Sequence, residues 1–120
     1  MKKKAIVNDT PVCQIRMRAI SDAMSILSGK WKFHILGTLI EGNKLGFMDL
    51  IREVDGIGTK MLSKELQDME MNHLVDRTVM DTKPITVQYS LTEYGKTLSP
   101  VIDELAKWGV EYRQSVYGSK

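Results

Sequence analysis

Apolar residues recur along this chain at helical spacing in most segments and at every second position in one short stretch. From the amino end, Ile20, Ala23, Met24 and Leu27 mark a first helix. Gly29 follows where a left-handed cap would close it near Ser28. A second helix is expected from near Lys30, with Trp31, Ile35, Leu36, Leu39 and Ile40 on its apolar side and His34, Thr38 and Glu41 opposite. Gly42 and Asn43 end it. Leu45, Met48, Leu50 and Ile51 supply the apolar side of a third helix. Asp55, Gly56, Ile57 and Gly58 then form a turn, in which both glycines can take backbone angles closed to branched residues and Ile57 can drop into the core. The next helix, from Thr59 to His73, turns Leu62, Leu66, Met69 and His73 inward.

After Leu74 the period changes to two. Val75, Arg77 and Val79 alternate with Asp76, Thr78 and Met80; Ile85, Val87 and Tyr89 alternate with Thr86, Gln88 and Ser90. Between these strands, Asp81, Thr82, Lys83 and Pro84 predict a projecting tip. A lone hairpin is only marginally stable, so its apolar side must pack on the helices. A last helix, starting near Glu93, carries Tyr94, Leu98, Val101, Leu105, Trp108, Tyr112 and Val116 on one stripe, with Pro100 expected to kink it near Lys96. That stripe is longer than a small domain can cover, so its distal half predicts a partner surface, with packing inside the chain as the alternative.

The predicted fold is mainly α with a small β-hairpin wing. Helix, glycine turn, helix and hairpin in that order are the ground plan of a winged helix-turn-helix, which puts one helix into a DNA groove. On the fourth helix, Lys60, Ser63, Lys64 and Gln67 lie opposite the apolar stripe, with Thr59 at its start. Ammonium, hydroxyl and amide groups are those that contact phosphates and base edges. Arg77 and Lys83, on the strand and tip of the wing, can reach neighbouring phosphates. A plain solvated face would show the same pattern on this helix, and it is the flanking turn and hairpin that favour DNA.

Length and charge set the outer limits. At 120 residues the chain predicts a basic, flexible arm over residues 1 to 12 and one domain over 13 to 120. Pro11 is expected to keep helix out of the arm. No apolar run approaches the roughly twenty residues that span a bilayer, and Lys2, Lys3 and Lys4 begin no signal peptide, so the expectation is a cytoplasmic protein without a membrane partner. A single cysteine, Cys13, cannot form an internal disulfide. The net charge of +2 says little alone. Residues 1 to 60 hold ten Lys and Arg against six Asp and Glu, whereas residues 61 to 120 hold seven against nine. With no strongly basic stripe, DNA affinity should come from two copies acting together.

An enzyme is not expected. His34 and His73 are the only imidazoles, and His73 falls on the expected core side. No metal-ligand cluster, phosphate-cradling loop or activated nucleophile can be found in the sequence, so neither metal nor cofactor is called for.

Cys13, the Gly29, Lys30 and Trp31 run, Phe47, Leu50, Gly56, Ile57, Leu62, Leu66, Leu74, Val75, Arg77, the run from Tyr89 through Ser90, Leu91, Thr92, Glu93 and Tyr94 to Gly95, then Leu98, Pro100, Leu105 and Trp108 together resemble the pattern of HxlR-type transcriptional regulators, relatives of the MarR group. The resemblance implies a homodimer on a double-stranded DNA operator, with the first and last helices forming the interface. That assigns Ile20, Met24, Val101, Leu105, Trp108, Tyr112 and Val116 to the contact between copies. Two departures stand out. Gly58 replaces a frequent Ser, leaving the recognition helix without a side-chain cap unless Thr59 provides one, and Thr86 replaces a frequent basic residue on the wing.

In some relatives a cysteine near position 13 senses oxidants or electrophiles. Here Arg16 and Arg18 lie close in sequence and favour a thiolate; the alternative for Cys13 is packing of the first helix. A small-molecule effector between the dimer helices, or a winged helix that binds protein instead of DNA, are the competing functions.

Overall fold

The computed structural model describes residues 11 to 118, so the arm expected over 1 to 12 lies outside it except for Pro11 and Val12. The elements are α1 (Pro11–Leu27), α2 (Lys32–Gly42), β1 (Lys44–Gly46), α3 (Phe47–Glu53), α4 (Thr59–Met71), β2 (Val75–Met80), β3 (Thr86–Leu91), α5 (Glu93–Lys96) and α6 (Ser99–Tyr117). Pro11 thus stands in α1 as its first described residue instead of excluding helix. No helix among the described residues is long and apolar enough to cross a membrane.

The core gathers Ile35, Leu36 and Leu39 from α2, Leu50 from α3, Leu62, Leu66 and Met69 from α4, and Val75, Tyr89 and Leu91 from the sheet. Val54, Ile57 and Leu74 close it at the connections. The sheet is antiparallel in the order β1-β3-β2. Val75 faces Leu91, Arg77 faces Tyr89 and Leu45 also faces Tyr89, so these residues share the side packed on the helices.

The structure corrects several expectations. Leu45 belongs not to the third helix but to β1, and Met48 is 59% exposed instead of packed. A strand of three residues is too short for alternation to reveal; β1 exists because β3 offers it an edge. His73 lies beyond α4, exposed, at φ +62, because the helix ends at Met71 with Asn72 as its cap. Ile85 is outside β3 and exposed in the wing loop. Only Gly56 uses a glycine-specific angle in the turn, at φ +89; Gly58 is extended, at φ −89.

The last helix is two helices. Pro100 does not kink a continuous rod but stands in the first turn of α6, after a break at Thr97 and Leu98. There the chain tightens, with Thr97 N donating to Tyr94 O and Leu98 N to Gly95 O, both at three-residue spacing. Leu98 and Ile102 then pack on the core, whereas α6 beyond Ile102 is exposed.

Candidate nucleic-acid interface

The turn before α4 is built from the backbone outward. Val54 N donates to Leu50 O at 2.9 Å and Ile57 N to Val54 O at 3.3 Å, which folds the chain sharply while Ile57 plugs the core. A Cβ placed on Gly56 would meet Trp31 Cη2 at 3.7 Å, so the indole of Trp31 reaches this turn from the start of α2. Gly58 is the N-cap of α4; it has no side chain to accept a helix N–H, and Thr59 is the first helical residue and not a cap. The leading N–H groups of α4 are therefore uncapped by any side chain, which leaves a partial positive charge at that end.

Along α4, Leu62, Leu66 and Met69 are buried, and Thr59, Lys60, Ser63, Lys64 and Gln67 are all exposed on the other side. The expected polar face is thus formed by one rigid element. A residue of this helix that sequence reasoning missed is Glu65, which is buried with Lys32 of α2, Nζ to Oε1 2.5 Å. The signal was present: Glu65 falls three residues after Leu62 and four before Met69, and Lys32 falls three and four before Ile35 and Leu36, so both charges sit on apolar stripes. Asp68 lies between two lysines, 3.7 Å from Lys32 Nζ and 3.4 Å from Lys64 Nζ. It ties the outward face of α4 to the pair beneath it.

Two further expected contacts lie on the wing. Arg77 is exposed on β2, in register with buried Tyr89 and hence on the side of the sheet where the helices lie. Lys83 is exposed at the hairpin tip, where Thr82 Oγ1 donates to Pro84 O at 2.8 Å. Thr82 and Thr86 hydroxyls lie 3.0 Å apart, so the residue standing in place of a base is spent on shaping the loop.

The hairpin is fixed to the end of α4 at one corner. Thr92 Oγ1 accepts from Gly95 N at 2.8 Å, capping α5, and donates to His73 O at 2.7 Å. Thr92 N donates to Leu74 O at 3.0 Å. A Cβ on Gly95 would stand 2.2 Å from that same Leu74 carbonyl oxygen, so only glycine fits.

At the two ends of the chain the expected contact residues are unburied. Ile20 and Met24 are exposed on α1, as are Val101, Leu105, Trp108, Tyr112 and Val116 on α6. Trp108 and Tyr112 stack on each other, with centroids 5.1 Å apart. Cys13 is half-buried on an otherwise largely exposed α1.

Helix, turn, polar-faced helix and projecting hairpin around one core make this a winged helix-turn-helix of the kind found in transcriptional regulators. Comparison with known proteins agrees. Residues 26–117 match the HxlR-like helix-turn-helix family. The chain is 33% identical over 99 residues to the uncharacterised HTH-type transcriptional regulator YdzF of Bacillus subtilis, covering 82% of this chain and 91% of the relative. Among solved structures, the redox regulator HypR in its reduced form superposes with a TM-score of 0.76 at 31% identity, over 84% of this chain and 99% of that one. A MarR-family regulator of Enterococcus faecalis superposes with a TM-score of 0.73 at 30% identity, over 92% and 96%. The protein belongs to the HxlR-like helix-turn-helix family of transcriptional regulators.

Proposed function

We propose that the protein binds operator DNA as a homodimer, with α4 in the major groove and the wing on the adjoining backbone. The observation that carries this is the single exposed face of Thr59, Lys60, Ser63, Lys64 and Gln67 on a helix whose other side is core. Lys60 and Lys64 supply charge, Ser63 and Gln67 supply groups that read base edges, and Arg77 and Lys83 hold phosphates. Dimerisation is supported by the apolar residues exposed on α1 and α6 and by the molecule's extension. Its radius of gyration is 18.1 Å, against about 14 Å for a compact chain of this length. Two copies would place their α4 helices one DNA turn apart, about 34 Å.

The test is selection of bound duplexes from a random pool, followed by titration with variants. The expected site is a two-fold repeat. Lys64→Ala should weaken binding to every duplex and reduce its salt dependence, whereas Gln67→Ala should relax preference at one base position. Absence of salt-dependent binding by the wild-type chain would overturn the assignment.

A second reading, response to oxidants through Cys13, is supported by the likeness to a protein described as a redox regulator and by the place of Cys13 on α1, a helix of the proposed interface. Oxidation or alkylation there would alter the contact between copies.

A further inference from the structure

We infer that Lys30 is a phosphate-binding residue, so that the protein grips the DNA backbone from the amino end of α2 as well as from α4 and the wing. The inference rests on the DNA-binding reading above and extends it to a part of the chain that reading leaves unused.

Three consecutive residues build the site. Gly29, at φ +114, turns the chain out of α1. Trp31 is the N-cap of α2, its carbonyl accepting Ile35 N at 3.0 Å, and its ring tip reaches the Gly56 turn that leads straight into α4. Lys30, between them, is exposed and lays its Nζ over the Trp31 ring, 4.8 Å from the centroid. The ammonium is thereby held beside the turn instead of ranging freely on its stem. From the other side, Lys32 reaches Glu65 at 2.5 Å and Asp68 at 3.7 Å, which lays the start of α2 along the flank of α4.

Charge separates the two lysines. Lys32 is buried and taken up by Glu65, so it serves the fold. Lys30 makes no ion pair with any carboxylate among the described residues. The positive φ accounts for Gly29 and core packing for Trp31, and the ordered, uncompensated cation is what both leave without a purpose. The start of α2 also lacks a side-chain cap, so its leading N–H groups add to the positive potential around Lys30. A phosphodiester running past the turn, beside the groove that α4 occupies, meets both.

The full chain carrying Lys30→Ala, Lys30→Gln or Lys30→Arg is titrated against a duplex selected by the wild type and against a scrambled one, between about 50 and 200 mM salt. The Ala and Gln variants are expected to lose roughly tenfold in affinity near 0.1 M salt on both duplexes, with the log–log salt slope shallower by about 0.9 for each phosphate no longer neutralised. Arg should restore both. A duplex with single methylphosphonates should reveal one phosphate per half-site whose neutralisation weakens the wild type but not Lys30→Ala. Reduced affinity with an unchanged slope would show Lys30 acting only through Trp31 and overturn the inference. So would wild-type behaviour of Ala and Gln alongside a reduced slope for Lys64→Ala, which leaves the α4 assignment standing. Failure of the wild type to bind DNA takes down both.

Discussion

Lys32 and Glu65 are the residues where charge and packing conflict most sharply. Each sits on an apolar stripe, each is less than a tenth exposed, and each is tolerable because the other is there, with Asp68 a longer second partner for Lys32. Their attraction roughly offsets the cost of taking both from water, so the pair contributes alignment of α2 with α4 more than net stability. Removing one partner leaves a buried charge. Lys32→Met or Glu65→Leu alone should therefore destabilise the fold by about 3–5 kcal/mol, and the double variant should regain most of that. Urea midpoints of the four proteins measure it; additive losses would show that the two side chains act independently.

At the scale of elements, the corner made by Thr92 and Gly95 determines how strand, helix end and wing meet. Thr92→Ala removes a cap and the bond to His73 O, and should cost about 1 kcal/mol. Gly95→Ala must push the Leu74 carbonyl aside and should cost about 1–3 kcal/mol. Thermal melts of both variants, compared with Gly109→Ala, where a Cβ meets nothing within 4 Å, separate close approach from mere helix composition. The elements that sequence alone makes legible are those with long stripes and local punctuation. α2 and α4 combine Leu and Ile at helical spacing with Gly42, Asn43, Gly56 and Ile57 at their ends, and β2 and β3 alternate over six residues each. What escapes depends on partners distant in sequence. β1 exists through β3, 42 positions on from Gly46 to its partner Gln88, and the start of α5 is fixed by bonds from Thr92 to Leu74 and His73. The spacing of His73 misleads because it continues the stripe, while Asn72 already ends the helix. The polar face of α4 is legible for the opposite reason, since burial of Leu62, Leu66 and Met69 leaves Lys60, Lys64 and Gln67 nowhere else to point.

For the molecule as a whole, α1 and α6 expose apolar side chains that the described chain does not cover. Val101, Leu105, Trp108, Tyr112 and Val116 are each about half exposed or more, on a helix with no fully buried residue. Leu105→Ala with Trp108→Ala should yield monomers and abolish tight binding to a two-half-site duplex, because each half-site alone offers too few contacts. Sedimentation at micromolar concentration checks this, and a monomeric wild type would refute it. If Cys13 lies at the proposed contact between copies, a mild oxidant or a quinone should lower operator affinity of the wild type but not of Cys13→Ser. Equal responses would leave Cys13 a packing residue.

Because the end of α4, the hairpin and the start of α5 share hydrogen bonds through Thr92 and a Leu74 carbonyl that admits no side chain, α4 and the wing are fastened at that corner against opening or closing like jaws. Each copy carries a caliper of fixed gape. In the proposed DNA-bound dimer, a signal that reaches the contact between copies would change the distance and angle between two such calipers, and loss of affinity should then follow the helical phase of the two half-sites: inserting half a turn between them should mimic the signal, and a full turn should not.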